Sequence, residues 1–429
     1  MKLQSRTTDK ANTAMQATTA HIDSASPYTV IFPLLRAGIW SEESFPFTAA
    51  PDTDWEAVYK ELCIQTVQNI PVDILIRKNP AMKQQYFQTA AKAVSHWYHL
   101  MQEQQALYNL FRSADIPFVV LKGAAADYYY PQPTYRCMGD IDLIVKPADF
   151  DRAYELMQDS GYQVIDTPNL RHKELCKNGI QYELHQYFSI FNNPDYIKYL
   201  DDRIFSAIDQ AQEASIEGLS FPMLPKLENG LVLLQHINQH LESGLGLRQI
   251  IDWMLFVDRE LDDEWWNLEF RQCVAQIGME TLAVTVTRMC QIYLGLSTDI
   301  TWCMDAEADL CEELMEYIME QGNFGRKLSR YTNSVINTVI AAQSIPVLFR
   351  RLQQYGCNNW QALKQYPFLK PFAWIYQICR YIRLALGRKH PFRQLKQDVS
   401  KSERRSIILK RLGVTQRSKG VMTPKGMRY

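Results

Sequence analysis

The stretch "YRCMGDIDLIV", Tyr135 to Val145, constrains this chain more than any other. It sets two aspartates, Asp140 and Asp142, one residue apart at the mouth of a strongly apolar run. Side chains at i and i+2 of a strand share one face, so the two carboxylates stand side by side where a buried strand begins. Such a pair repels unless a cation lies between its members. A chain that keeps the pair therefore has to supply that cation or bind one.

The flanking segments define a compact α+β unit around the pair. "IPFVVLKG" reads as a short buried strand closed by a glycine turn, "AAADYYY" as a helix restart and "PQPTYRCMG" as a loop before the second strand. "PADFDRAYELMQDSGY" has Pro147 and Asp149 near its start and Gly161 at its end, the pattern of a capped helix. "YQVID" reads as strand. "HKELCKNGIQYELHQYF" places Asn178-Gly179 between two alternating runs, a strong hairpin signal. Upstream, Ala81 to Ala114 repeats apolar residues at three and four, as a long amphipathic helix does. From Leu227 to about Val347 the pattern is helical again.

The division expected from these shifts is a disordered leader over 1–26, a helical region over 27–115, an α+β core over 116–225, a helical domain over 226–348 and a basic helical segment with a loosely ordered tail over 349–429. The net charge of −1 conceals an imbalance. From Arg350 onward 19 Lys and Arg face only Asp398 and Glu403, a balance of +17 on a body of −18. A basic segment of that kind suits a polyanion or an anionic surface. Nine scattered cysteines without a CxxC pair suit free thiols in a reducing compartment. With no apolar leader and no run of about 18 apolar residues, the expected location is cytoplasmic, with a peripheral membrane contact left open.

Four elements in order carry chemistry: the glycine turn Lys122-Gly123-Ala124, then Arg136 and Gly139, then Asp140 and Asp142, then Glu183 in "IQYELHQYF". If the strand of Glu183 lies beside "IDLIV", three carboxylates converge. Oxygen donors in that number suit Mg²⁺ or Mn²⁺, and a glycine turn opening a helix offers N–H groups to phosphate. Together they describe a two-metal phosphoryl- or nucleotidyl-transfer site.

The ordered set "LKG…R…GDIDLIV…ELH" resembles the DNA polymerase beta-like nucleotidyltransferase superfamily, and within it the bacterial family catalogued as uncharacterised nucleotidyltransferases. The resemblance is close over about Phe118 to Tyr187. It implies an α+β fold, a small mixed-sheet core between N- and C-terminal helical segments. It also implies Mg²⁺ or Mn²⁺ on Asp140, Asp142 and Glu183, NTP as substrate, Gly123 as the phosphate-loop glycine, and transfer of a nucleoside monophosphate with release of pyrophosphate. Glu183 could also activate the acceptor hydroxyl. Lys122 and Arg136 are the natural phosphate partners, and Gly139 lies in the same loop. Ala124 and Ala125 depart from the superfamily, which usually follows its glycine with Gly or Ser.

Other features carry weaker expectations. His236 and His240, at i and i+4, read as two histidines at a helix interface rather than a metal pair; Arg248 and Asp252 read as a helix salt pair with a possible nucleotide or acceptor role. His185 faces the same way as Glu183 in a regular strand and is a candidate for the acceptor side. Gln377, Arg380 and Arg383 form a narrow polar stripe on Pro371 to Lys389, either buried against the body or set on an anionic membrane or RNA backbone. The acceptor stays open between a small molecule, RNA and protein, including toxin-like transfer to tRNA or protein, and a non-catalytic scaffold retaining the fold is the alternative of a different class.

Overall fold

The computed structural model describes residues 28–165, 171–189, 193–241, 244–325, 345–360, 362–386 and 404–414. The expected leader over 1–26 lies outside them, as does the tail apart from 404–414. Helices α1 (Tyr28–Trp40), α2 (Trp55–Ile64), α3 (Val72–Lys78) and the 31-residue α4 (Lys83–Ser113) precede the sheet. Strand β1 (Phe118–Leu121) leads into the five-residue α5 (Gly123–Asp127). Then come β2 (Asp140–Val145), α6 (Phe150–Asp159), β3 (Gln163–Ile165), β4 (His172–Lys177), β5 (Ile180–His185), α7 (Pro194–Ile208), β6 (Gln212–Ile216) and β7 (Leu219–Met223).

These strands form one mixed seven-stranded sheet in the order β3-β4-β5-β2-β1-β7-β6. β1 runs antiparallel to β2, whereas β5 runs parallel to β2. The β4–β5 hairpin turns at Asn178 and Gly179, both with positive φ (51° and 79°), as the sequence signal requires. The β6–β7 hairpin uses Glu217-Gly218 in the same way (φ 51° and 77°). Its strands were not read from the sequence, because "QEASIEGLSFPM" is mostly polar up to the turn.

Alternation assigns the two sheet faces. Phe118, Val120, Ile141, Leu143, Val145, Tyr182 and Leu184 point to one side, where Trp97, Leu100, Leu107 and Phe111 of α4 and Phe150, Ala153 and Met157 of α6 cover them. On the opposite side Val119, Leu121 and Ile144 join a larger core built from the helices before and after the sheet. In that core α8 (Lys226–His240) and α9 (Leu247–Glu260) pack closely: a Cβ on Gly230 would sit 2.3 Å from Phe256 Cζ. Behind them lie α10 (Glu280–Leu294) and α11 (Ala308–Gln321). Helix α1 docks on α10 through polar contacts: Arg36 donates to the carbonyls of Ile292 and Tyr293, and Trp40 Nε1 to that of Leu294. The helical segments on either side of the sheet therefore meet in one apolar core, and the polar half of the second sheet face is left looking toward α8 and α9.

One expectation for the C-terminal fifth is corrected and one alternative left open there is narrowed. Residues 404–411 form a helix, and Ile408, Leu409 and Leu412 are buried in the main core, so this part of the basic tail is docked rather than loose. Arg411 reaches Asp309 at 2.7 Å and Glu313 at 2.9 Å, and Arg404 pairs with Glu316; the basic charge here meets the acidic α11. Helices α12 (Ile345–Asn359) and α13 (Ala373–Leu386) pack on each other through Leu348, Leu352, Trp374, Ile378 and Tyr381. Gln377 is buried and accepts from Asn359 Nδ2 at 3.2 Å, so it does not belong to an exposed polar stripe with Arg383. The outward side carries Phe372, Ile375 and Ile382 beside Arg383 instead. Among the described residues no helix is long and apolar enough to cross a membrane.

Candidate active site

Register decides which side chains meet on the polar face. In the parallel β2–β5 pair Asp140 lies opposite Gln181 and Asp142 opposite Glu183. In the β4–β5 hairpin His172 lies opposite His185 and Glu174 opposite Glu183. Period-two alternation puts all of these on one face. The face is thus a grid, with Glu174, Glu183 and Asp142 in one row across three strands and His172 and His185 in the next. The strand of Glu183 does lie beside "IDLIV".

Like charges in one row cost free energy unless something offsets them. Lys122 Nζ sits 2.9 Å from Asp142 Oδ1. His185 Nε2 sits 3.0 Å from the same oxygen and 3.3 Å from Glu183 Oε2. His172 Nε2 is 3.4 Å from Glu174 Oε1 and 3.9 Å from Glu183 Oε2. Burial would raise the Asp142 carboxyl, but Lys122 and His185 overcome it and hold the group well below the usual carboxylate range. Asp140 receives no such pair. The neighbouring Asp142 charge, and then burial, push it up to about 6, with Lys122 and Arg248 opposing. The His185 pair with Asp142 and Glu183 raises that imidazole against the effect of burial, whereas burial and the His185 charge lower His172.

Lys122 reaches Asp142 from an unusual backbone. Its φ and ψ are 54° and −137°, and Gly123 follows at φ 37°. A side chain in that region is strained by about 1–3 kcal/mol, and strain of this kind gathers at sites where geometry is needed more than stability. Gly123 suits the turn for the same conformational reason, and a Cβ there would also touch Met138 Cε at 3.4 Å. A Cβ on Gly139 would meet nothing within 4 Å, so that backbone faces open space. Ala124 and Ala125 are fully buried against the sheet core, which accounts for the missing hydroxyls: these positions pack and do not reach outward.

Arg136, read from the sequence beside the carboxylate pair, lies elsewhere. Its guanidinium makes a bidentate contact with Asp252 (Nε–Oδ1 2.7 Å, Nη2–Oδ2 2.8 Å) and its Nη1 is 3.1 Å from Asp127 Oδ1. Tyr130 Oη donates to Asp252 and Trp97 Nε1 to Asp127. With 4% of its surface exposed, Arg136 is committed to a closed cluster and is not available to a phosphate. Asp252 is thereby taken from Arg248, so the helix salt pair expected at i and i+4 does not form. Arg248 Nη1 instead donates to the Cys137 carbonyl at 2.7 Å, while its buried Nε has no acceptor. His236 and His240 pack ring to ring at 4.6 Å, with Phe324 against His240. Burial, and then the charges of His240, Lys122 and Arg248, hold His236 well below its ordinary value.

The structure therefore brings Lys122, Asp140, Asp142 and Glu183 together beside Gly123, and sets Arg136 apart. Sequence reasoning passed over His172, whose role is visible only once the hairpin register places it across from His185. It also passed over Arg248 as the partner of the Cys137 loop, for which no local signal exists.

Comparison with curated proteins gives no match. A solved structure described as an antigenic nucleotidyltransferase-like protein from Paracoccidioides brasiliensis is similar at 13% identity and a TM-score of 0.31, covering 47% of this chain and 96% of its own. Residues 51–295, which include every element of the site just described, match the profile of a family described as uncharacterised nucleotidyltransferases. The chain belongs to that family of uncharacterised nucleotidyltransferases.

Proposed function

We propose that the polar face of the sheet binds a Mg²⁺–NTP complex and transfers its nucleoside monophosphate to an acceptor, releasing pyrophosphate. The observation that carries this reading is the carboxylate cluster set by the β2–β5 register: Asp142 lies beside Glu183, and Asp140, one step nearer the mouth of β2, is left short of cations and pushed up to about 6. An oxygen-rich set with unbalanced negative charge fits a hard divalent cation. Asp140, Asp142 and Glu183 would hold Mg²⁺, which when bound supplies charge neutralisation at the attacking and leaving oxygens.

The chain's own groups divide the remaining work. Lys122 is tied to Asp142 in the metal-free arrangement and becomes available to the phosphates once the carboxylates have another counter-charge. Arg248, which already steadies Asp140 and has a buried Nε without an acceptor, takes the phosphate-binding part expected of Arg136. The positive-φ turn at Lys122-Gly123 opens backbone to the substrate. Glu183 would accept the acceptor's proton as the acceptor oxygen bonds to the α-phosphorus and the bond from that phosphorus to the α,β-bridging oxygen breaks. This arrangement is of the DNA polymerase beta-like type.

Transfer of label from α-labelled NTP in Mg²⁺ or Mn²⁺, over acceptors that include cell extract, tests the reading. Labelled product with the wild type and none with Asp140→Ala/Asp142→Ala supports it. Absence of product together with absence of metal-dependent NTP binding leaves a non-catalytic scaffold. A macromolecular acceptor such as tRNA or protein, or one presented at an anionic membrane, is favoured by one feature: Phe368, Phe372, Ile375 and Ile382 are exposed on the basic C-terminal segment.

A further inference from the structure

The imidazole row of the grid lies outside the carboxylate set assigned to Mg²⁺. His172 and His185 face each other across the β4–β5 ladder with ring centroids 4.8 Å apart, and Glu183 stands one row away on the same face. One donor atom from each of His172, Glu183 and His185 lies within 4.8 Å of the other two. Four donors about 2.0–2.2 Å from a tetrahedral metal stand roughly 3.3–3.6 Å from one another. The His185–Glu183 separation of 3.3 Å already has that value, and His172–Glu183 at 3.9 Å needs a shift of a few tenths of an ångström. Asp142 Oδ1, 3.0 Å from His185 Nε2 and tied to Lys122, borders this group, which leaves the fourth position to solvent or substrate.

Ligand type then selects the ion. Mg²⁺ asks for an all-oxygen octahedral shell, whereas two imidazoles with carboxylates suit a borderline transition metal. We propose that His172, His185 and Glu183 form a second metal position, distinct in chemistry from the Asp140/Asp142 position, that takes Zn²⁺ or a similar divalent transition ion. The inference rests on the carboxylate face being the metal face and divides that face in two. One side is a hard oxygen position at the mouth of β2. The other is an imidazole position on the β4–β5 hairpin, with Glu183 and Asp142 between them. The same register that brings Glu183 to Asp142 brings His185 with it, two residues further along the strand.

The test titrates the full chain with Co²⁺ and Zn²⁺, reading the visible absorption of Co²⁺ and the competing uptake of Zn²⁺, and in parallel measures Mg²⁺-dependent NTP binding. The wild type should show tetrahedral Co²⁺ bands that Zn²⁺ displaces. His172→Ala, whose side chain is partly exposed, should weaken Zn²⁺ more than about tenfold, since losing even an outer partner of a metal ligand costs that much. Asp140→Asn should keep Zn²⁺ affinity within about threefold and lose Mg²⁺-dependent NTP binding. If His185→Ala fails to fold, the wild-type Co²⁺ spectrum and His172→Ala still decide the matter. Wild-type protein without tetrahedral Co²⁺ bands, or Zn²⁺ affinity unchanged in His172→Ala, overturns the second position. Mg²⁺-dependent NTP binding that persists in that case leaves the nucleotidyl-transfer reading standing. Zn²⁺ binding without NTP binding would instead sink that reading and support the imidazole position alone.

Discussion

Two buried charge clusters lie within a few residues of each other in sequence, and they are built on opposite principles. Around Arg136, one guanidinium serves two aspartates, and Tyr130 and Trp97 donate to the same carboxylates. Around Asp142, Lys122 and His185 serve one aspartate while Asp140 beside it goes short. Both clusters contain a carboxyl with a raised value, and the causes differ. Asp127 is pushed up to about 7 first by burial, with the Arg136 charge opposing. Asp140 is pushed up to about 6 first by a neighbouring like charge. Burial alone is a structural condition. A like-charge pair held at a sheet face is one that a bound cation would relieve, and that difference separates a cluster that holds the fold from one suited to bind.

The largest test of the contrast is Arg136→Met. Removing the shared partner leaves two buried aspartates uncompensated and should cost about 3–5 kcal/mol, read as a lowered midpoint in denaturant unfolding. Near wild-type stability would mean that the cluster is not the closed structural unit described here.

Asp140→Asn should act in the reverse direction. A carboxyl whose folded value is raised contributes stability at low pH that is lost as pH rises from the unfolded value of 3.8 through about 6. Removing it should stabilise the metal-free protein by about 2–3 kcal/mol at pH 8 and leave it unchanged near pH 3.5, while transfer falls to background. Thermal unfolding at the two pH values checks this, and destabilisation at pH 8 would contradict the strain assigned to the pair.

Arg248→Met sharpens the comparison of the two arginines. The loss of one charge-assisted contact is worth about 1.5–3 kcal/mol. It should appear as roughly a ten- to hundredfold loss in kcat/KM for NTP with stability held within about 1 kcal/mol. A stability loss as large as that of Arg136→Met would place Arg248 with the structural cluster. The smallest effect is expected from serines at Phe368, Phe372, Ile375 and Ile382. These exposed positions should leave NTP binding and stability unchanged and lower only transfer to a macromolecular or membrane-presented acceptor.

The carboxylate half of this contrast was legible in the sequence. The glycine turn, the "DID" strand mouth and the Asn178-Gly179 hairpin are local signals, and period-two alternation puts Asp140 with Asp142 and Glu183 with His185; that the two strands are neighbours comes from the sheet order. Arg136 misled because its distance along the chain from Asp140 is short while its bidentate partner comes from afar: Asp252 is 116 residues away. His172 gave no signal of its own, although its place opposite His185 follows from the two-residue Asn178-Gly179 turn, which pairs Lys177 with Ile180 and hence His172 with His185. The docked helix over 404–411 was masked by its basic composition, although Ile408, Leu409 and Leu412 already have the spacing of a buried stripe.

Calorimetric titration of a non-hydrolysable NTP in the presence and absence of Mg²⁺ tests the central claim most directly, comparing wild type with Asp140→Asn/Asp142→Asn. The account predicts saturable binding by the wild type only with Mg²⁺, and none by the variant, which stays folded. Binding that ignores Mg²⁺, or that survives both substitutions, would contradict the assignment of the paired aspartates as the metal-holding centre of a nucleotidyltransferase.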